Sequence, residues 1–111
     1  MALISLDEAK QYLRVDTGDE DAMIGVLLSS SEALCADVAR LTDEQWEDID
    51  SDLTGTERYT SVELAAVRST MRVAILYALG YLFEHREEAN HHNLLLTLRS
   101  LLFAVREGSV L

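Results

Sequence analysis

Asp48-x-Asp50-x-Asp52 is the densest set of oxygen ligands in the chain and resembles the opening of a calcium-binding loop. Such a loop needs glycine at its sixth position for a sharp turn and a bidentate glutamate at its twelfth. Leu53 and Tyr59 occupy those places, so the segment reads as a solvated acidic stretch. Glu84, Glu88 and His92 recur at intervals of four, with His85 and His91 beside them. On an unbroken helix the three would share a face and could hold a divalent metal. Ala89-Asn90-His91-His92 reads instead as a helix end, where imidazole and guanidinium groups suit the negative terminus of the dipole. Cys35 has no basic neighbour before Arg40 to stabilise a thiolate. Ser29, Ser30 and Ser31 lack the glycines of a nucleophile elbow, and no glycine-rich phosphate loop is present. These residues point to no catalytic set, no metal site and no cofactor.

With no reaction indicated, the weight shifts to surfaces and partners. Twenty acidic and nine basic residues give a net charge of −11, which argues against gripping a phosphate backbone but not against DNA passing nearby. Seven of the acids, and a single arginine (Arg58), lie between Leu41 and Thr60. A chain of 111 residues forms one domain with enough buried surface to need no staples. Its 49% hydrophobic content excludes wholesale disorder. A lone cysteine suits a reducing compartment. Met1-Ala2-Leu3-Ile4 lacks the basic start and apolar core of a signal peptide, so the cytosol is expected.

The elements that must position these groups are helical. Absence of proline and few glycines favour an all-α fold: a small bundle of four main helices with a long acidic loop between the second and third. Ser5-Leu6-Asp7-Glu8 reads as a capping box opening a helix to about Leu13, with Leu6, Ala9, Tyr12 and Leu13 inward. Asp16-Thr17-Gly18 is a turn. Asp19-Glu20-Asp21 starts a second helix to about Arg40, with an apolar stripe of Met23, Val26, Leu27, Ser30, Leu34, Val38 and Leu41. Gly25 inside it suggests close packing against another helix. Thr42-Asp43-Glu44-Gln45 is a further capping box, for a turn or two around Trp46, and Asp50 to Thr56 reads as open loop. A long third helix runs from Thr60–Glu63 to about Glu88. A fourth covers about Asn93 to Glu107, with Gly108 as its stop.

Val73 to Phe83 is eleven residues without a charge. That is well short of the roughly 20 needed to span a bilayer, so no membrane role is expected. A helix apolar nearly all round must be covered on more than one side. On the last helix Leu94, Leu95, Leu98, Leu101, Leu102 and Val105 form the inward stripe, while Leu96 and Phe103 align on a different face. Together with the third helix, that second face points to a protein partner. Arg68 and Arg72 are a like-charged i, i+4 pair, unfavourable by a few tenths of a kcal/mol unless acids answer them. The acids of Asp43 to Glu57, in the same chain or a neighbouring one, are the obvious source.

Ile4-Ser5-Leu6-Asp7-Glu8-Ala9-Lys10, Tyr12-Leu13-Arg14-Val15-Asp16 and Glu20-Asp21-Ala22-Met23-Ile24 resemble the opening of the head–tail connector proteins of tailed bacteriophages. Ala74 to Glu87, ending in Phe83-Glu84-His85-Arg86-Glu87, is similar to that family's third helix, and Leu98-Arg99-Ser100-Leu101-Leu102 with Arg106 to its closing segment. Relatives often open the closing segment with a proline-containing turn; Asn90 to Asn93 stands there here. The resemblance implies a non-enzymatic subunit of a phage or prophage, assembled in the bacterial cytoplasm into a homo-oligomeric ring of about twelve copies at the virion neck. Its partners would be the portal protein and the tail or stopper proteins, with DNA passing through the channel without specific binding. Arg68, Arg72, Leu96 and Phe103 are then candidates for contacts between subunits. Asp43, Glu44, Glu47, Asp48, Asp50 and Asp52 are candidates for a channel- or partner-facing acidic loop that keeps DNA from sticking. The competing expectation is a small acidic helical adaptor or regulator acting by protein–protein contacts.

Overall fold

A computed structural model describes residues 3–87 and 90–107, and every regular element among them is a helix. In chain order these are α1 (Leu6–Leu13), α2 (Asp21–Val38), α3 (Asp43–Ile49), α4 (Ser61–Glu84), α5 (His92–Leu101) and α6 (Phe103–Arg106). None is long and apolar enough to cross a membrane.

The helix starts follow the expected cap chemistry, with one exception. Thr42 with Gln45 and Thr60 with Glu63 form reciprocal capping boxes at α3 and α4. At α1 only half the box forms. Ser5 Oγ accepts the Glu8 N–H at 3.1 Å, but the Glu8 carboxylate turns to Arg72 instead. A guanidinium offers charge-assisted hydrogen bonds, stronger than a neutral amide can supply.

Two helix ends share an unusual feature. After α1, the Arg14 N–H donates to Gln11 O and the Val15 N–H to Lys10 O; after α2, Arg40 donates to Asp37 O and Leu41 to Ala36 O. Both are Schellman closures, a motif whose left-handed residue is usually glycine. Here it is arginine, with φ of 60° at Arg14 and 56° at Arg40.

Side-chain contacts set the helix directions. Arg86 reaches Met23 Sδ at 3.4 Å and Glu20 at 3.9 Å, so α2 begins beside the end of α4 and runs antiparallel to it. Glu8 meets Arg72, and Tyr12 lies against Gly80, so α1 ascends in the same sense as α4. α5 begins where His91 meets the Tyr81 ring and ends beside the end of α2, where Arg99 and Arg106 share a concavity with Asp37 and Arg40. Both α1 and α5 pack on α2 and α4. The α2–α4 pair is therefore flanked by α1 and α5.

The core joins Ile4, Ile24, Ile49, Leu64, Met71, Ile75, Leu79, Leu94, Leu98 and Leu102, all fully buried. Truncating a large one to alanine removes about 2–5 kcal/mol. The buried row of α2 is Ile24, Leu28, Ser31 and Cys35, rotated from the expected stripe; Ser30 is exposed and Val26 is 65% exposed. Small Ser31 and Cys35 give α2 a narrow buried face, and the Ser31 hydroxyl is satisfied by donating to Leu27 O at 2.8 Å. The larger Leu27, Leu34 and Val38 pack at the margins.

Other expectations need correction. A Cβ at Gly25 would meet nothing within 4 Å, so no helix approaches closely there. The close approach is at Gly80, where a Cβ would stand 3.2 Å from the half-exposed Tyr12 ring. α4 stops at Glu84, not Glu88, because His85 leaves helical geometry and its Nδ1 lies 2.9 Å from the Tyr81 carbonyl. The last helix divides at Leu102, whose N–H still reaches Leu98 O at 2.9 Å, and Leu101 is exposed rather than inward. Gly108 lies outside the described residues.

Candidate functional site

Arg68 and Arg72 are both answered inside the chain, by different groups. Arg68 Nε donates to Ile49 O at 2.9 Å, and its Nη2 to Asp48 O at 3.0 Å and Ser51 O at 2.7 Å. These carbonyls close α3, where a helix leaves acceptors unsatisfied. The guanidinium thus ties the acidic segment to α4 through backbone, not through carboxylates. Arg72 donates to Leu3 O at 2.7 Å and grips Glu8 with both terminal nitrogens. That hydrogen-bonded pair holds the Glu8 carboxyl below its usual range, against some burial, and raises the Arg72 guanidinium. Both guanidiniums are thus engaged within one copy, Arg68 by carbonyls outside the expected carboxylates and Arg72 by Glu8 instead of an acid of Asp43 to Glu57.

The acidic segment separates into two groups. Asp48 and Asp50 serve the fold: Asp48 Oδ2 accepts from Thr56 Oγ1 at 2.9 Å and Arg58 Nη1 at 3.3 Å, and Asp50 Oδ1 accepts the Leu3 N–H at 2.6 Å. Asp43, Glu44, Glu47 and Asp52 are exposed. Asp43 and Glu44 sit in the first turn of α3, where negative charge suits the dipole. The calcium-like alternation is thereby split between structural and solvent-facing carboxylates. The connection after α3 is open but tethered, by Thr56 N–H to Tyr59 O at 2.8 Å and by the buried Tyr59 ring.

The histidines near the end of α4 gather on an aromatic ring. His85 stacks on Tyr81 with centroids 4.2 Å apart, and His91 meets the same ring edge-on at 5.8 Å. Among the described residues no group of three His, Cys, Asp or Glu side chains is placed to hold a metal ion; Glu88 lies outside them. Cys35 is fully buried, and burial pushes its thiol up to about 12, far from thiolate chemistry near neutral pH.

Among the described residues, two sets of exposed apolar side chains line up along a helix, apart from single ones such as Val26 and Leu53. On α4, Val73 and Tyr77 are 59% and 40% exposed, and with Val62 they lie on one outward stripe. Tyr77 and Gly80 continue into a groove of about 580 Å³ shared with Tyr12, Arg14 and Phe83. On α5 and α6, Leu96 and Phe103 are 46% and 61% exposed, as the helical spacing indicated.

A basic cluster escaped the sequence reading. Lys10, Arg58, Arg72 and Arg86 are ion-paired, and Arg68 is held by carbonyls. Arg40, Arg99 and Arg106 have no acidic partner among the described residues, yet line one concavity of about 400 Å³ with Asp37, Val38 and Leu95. Arg106 Nε is buried there without a hydrogen-bond partner. One signal was available: Arg99 and Arg106 are seven apart, and no acid stands three or four residues from either. The approach of Arg40 depends on how α2 and α5 end together.

No protein-family model, curated protein or solved structure matches this chain.

Proposed function

We propose that this protein is a structural subunit that assembles head to tail into a ring, as in the phage head–tail connectors its sequence resembles. Four main helices (α1, α2, α4 and α5) form its body, and the acidic segment carrying α3 between α2 and α4 adds its exposed carboxylates to one surface. The observation that carries the reading is the pair of uncovered apolar surfaces on different helices, Val73–Tyr77 on α4 and Leu96–Phe103 on α5–α6. A head-to-tail ring needs two different patches on each copy, whereas a two-fold dimer reuses one. In this reading the portal protein lies on one side of the ring and tail or stopper proteins on the other. The exposed carboxylates of Asp43 and Glu44 repel DNA passing through the channel.

Two measurements test the reading. The gene is expected just downstream of portal and capsid genes in a phage or prophage; a location among unrelated bacterial genes would overturn the connector assignment. Electron microscopy of the protein mixed with its genome's portal is expected to show an added ring at the portal's end. A protein that forms only a closed dimer, and leaves portal particles unchanged, would favour the adaptor reading.

A further inference from the structure

We infer that the concavity of Arg40, Arg99 and Arg106 receives the exposed carboxylates of the α3 segment of a second copy of this chain. The inference rests on the head-to-tail reading above and names the charged contact it uses.

Charge accounting supplies the first argument. The chain has more than twice as many acids as bases, so an arginine has ample opportunity for a partner within it. Four of the nine bases take one, and Arg68 takes three carbonyls. Three of the remaining four arginines converge on one concavity, where among the described residues Asp37 is the only acid on the wall and forms no ion pair with them. Like charges held together without an answer raise the energy of the isolated subunit. An acidic ligand removes that cost, and the buried Arg106 Nε still has a donor to offer.

Placement supplies the second. Within one copy α3 packs on α4, where Arg68 holds its end, and among the described residues no ion pair joins it to the concavity at the end of α2. Head-to-tail repetition lets the next copy bring to the concavity the carboxylates that its own chain does not. Glu47 and Asp52 are exposed and unpaired, so they can reach across without dismantling the fold. Nucleic acid carries the right charge for the concavity, but the chain's net charge of −11 opposes its approach.

Reciprocal charge reversal tests the contact. Arg40→Glu with Arg99→Glu makes the basic patch acidic; Glu47→Arg with Asp52→Arg makes the acidic patch basic. Circular dichroism and Trp46 fluorescence establish that each variant folds. In sedimentation velocity at low salt, with protein concentrated until the wild type associates, each variant alone is expected to associate about tenfold or more weakly. Mixing the two restores association, because every junction in an alternating assembly then pairs opposite charges. Added salt weakens the wild-type assembly.

If the wild type associates and the basic-patch variant associates equally well, the contact is wrong while the ring reading stands. If neither variant is rescued by the other, the pairing of these two segments is wrong. Failure of the wild type to associate up to its solubility limit overturns the inference, leaving the connector reading to gene position and portal binding. A DNA-dependent assembly that Arg99→Glu abolishes would assign the concavity to nucleic acid and overturn it too.

Discussion

The two flanks of the α2–α4 pair handle arginine in opposite ways. On the α1 flank, Arg68 and Arg72 are engaged by the carbonyls of Asp48, Ile49, Ser51 and Leu3 and by the Glu8 carboxylate. On the α5 flank, Arg40, Arg99 and Arg106 face a concavity and form no ion pair among the described residues. The first arrangement ties segments distant in sequence to α4, including a contact that spans 69 residues from Arg72 to Leu3. The second contributes nothing evident to the folding of one copy. The difference teaches that the same side chain is a structural clamp where carbonyls converge on it and stays uncommitted where they do not.

The largest effect that could break this contrast is at Arg68. Replacing it with alanine strands the Ile49 and Ser51 carbonyls at the end of α3 and is expected to destabilise by about 3 kcal/mol. Denaturant unfolding followed by the single Trp46 reads this directly; a loss no greater than that at an exposed site would remove the clamp assignment. Arg72→Ala comes next, at about 1.5 kcal/mol, since its ion pair is partly exposed and screened. Part of that contribution depends on pH. The Glu8 carboxyl is lowered from its ordinary value of 4.5, so the pair stabilises fully above about that pH. The contribution is lost as pH falls through the lower folded value. Stability curves of the wild type and Glu8→Gln are therefore expected to converge in acid and separate towards neutrality.

At Arg40 the expected sign reverses. The residue holds a left-handed conformation that suits glycine, so Arg40→Gly is expected to raise stability by about 1 kcal/mol. The same substitution removes a wall of the arginine concavity, so a more stable subunit should assemble less well; a destabilised variant would show that Arg40 serves the fold after all. Smallest is Arg99→Ala, expected to stay within about 0.5 kcal/mol of the wild type. A larger loss in the same unfolding assay would make the α5 flank a second clamp and erase the contrast.

Much of the local structure was legible from side-chain chemistry over a few residues. Thr42–Gln45 and Thr60–Glu63 cap their helices, a short helix forms around Trp46, and Leu96 and Phe103 point away from the core. Less legible was anything set by competition between distant groups. Glu8 has the right spacing for a capping box, but α4 brings a guanidinium to it. Ser31 and Cys35 look less apolar than Val26, yet their small volume lets α2 turn that row inward. The sites followed the same division: the like-charged spacing of Arg68 and Arg72 was visible, their acceptors were not. Arg40, Arg99 and Arg106 come together only after two helices end side by side.

By itself, then, the order of residues determined an all-helical chain, its caps and turns, its acidic balance and the outward course of Leu96 and Phe103. Those properties depend on backbone hydrogen bonds and side-chain periodicity within a few turns. Tertiary structure alone decided which carboxylates are engaged, which row of α2 is buried and which arginines lack an answer. Such outcomes turn on energies between groups dozens of residues apart, and those energies exist only once the helices have packed.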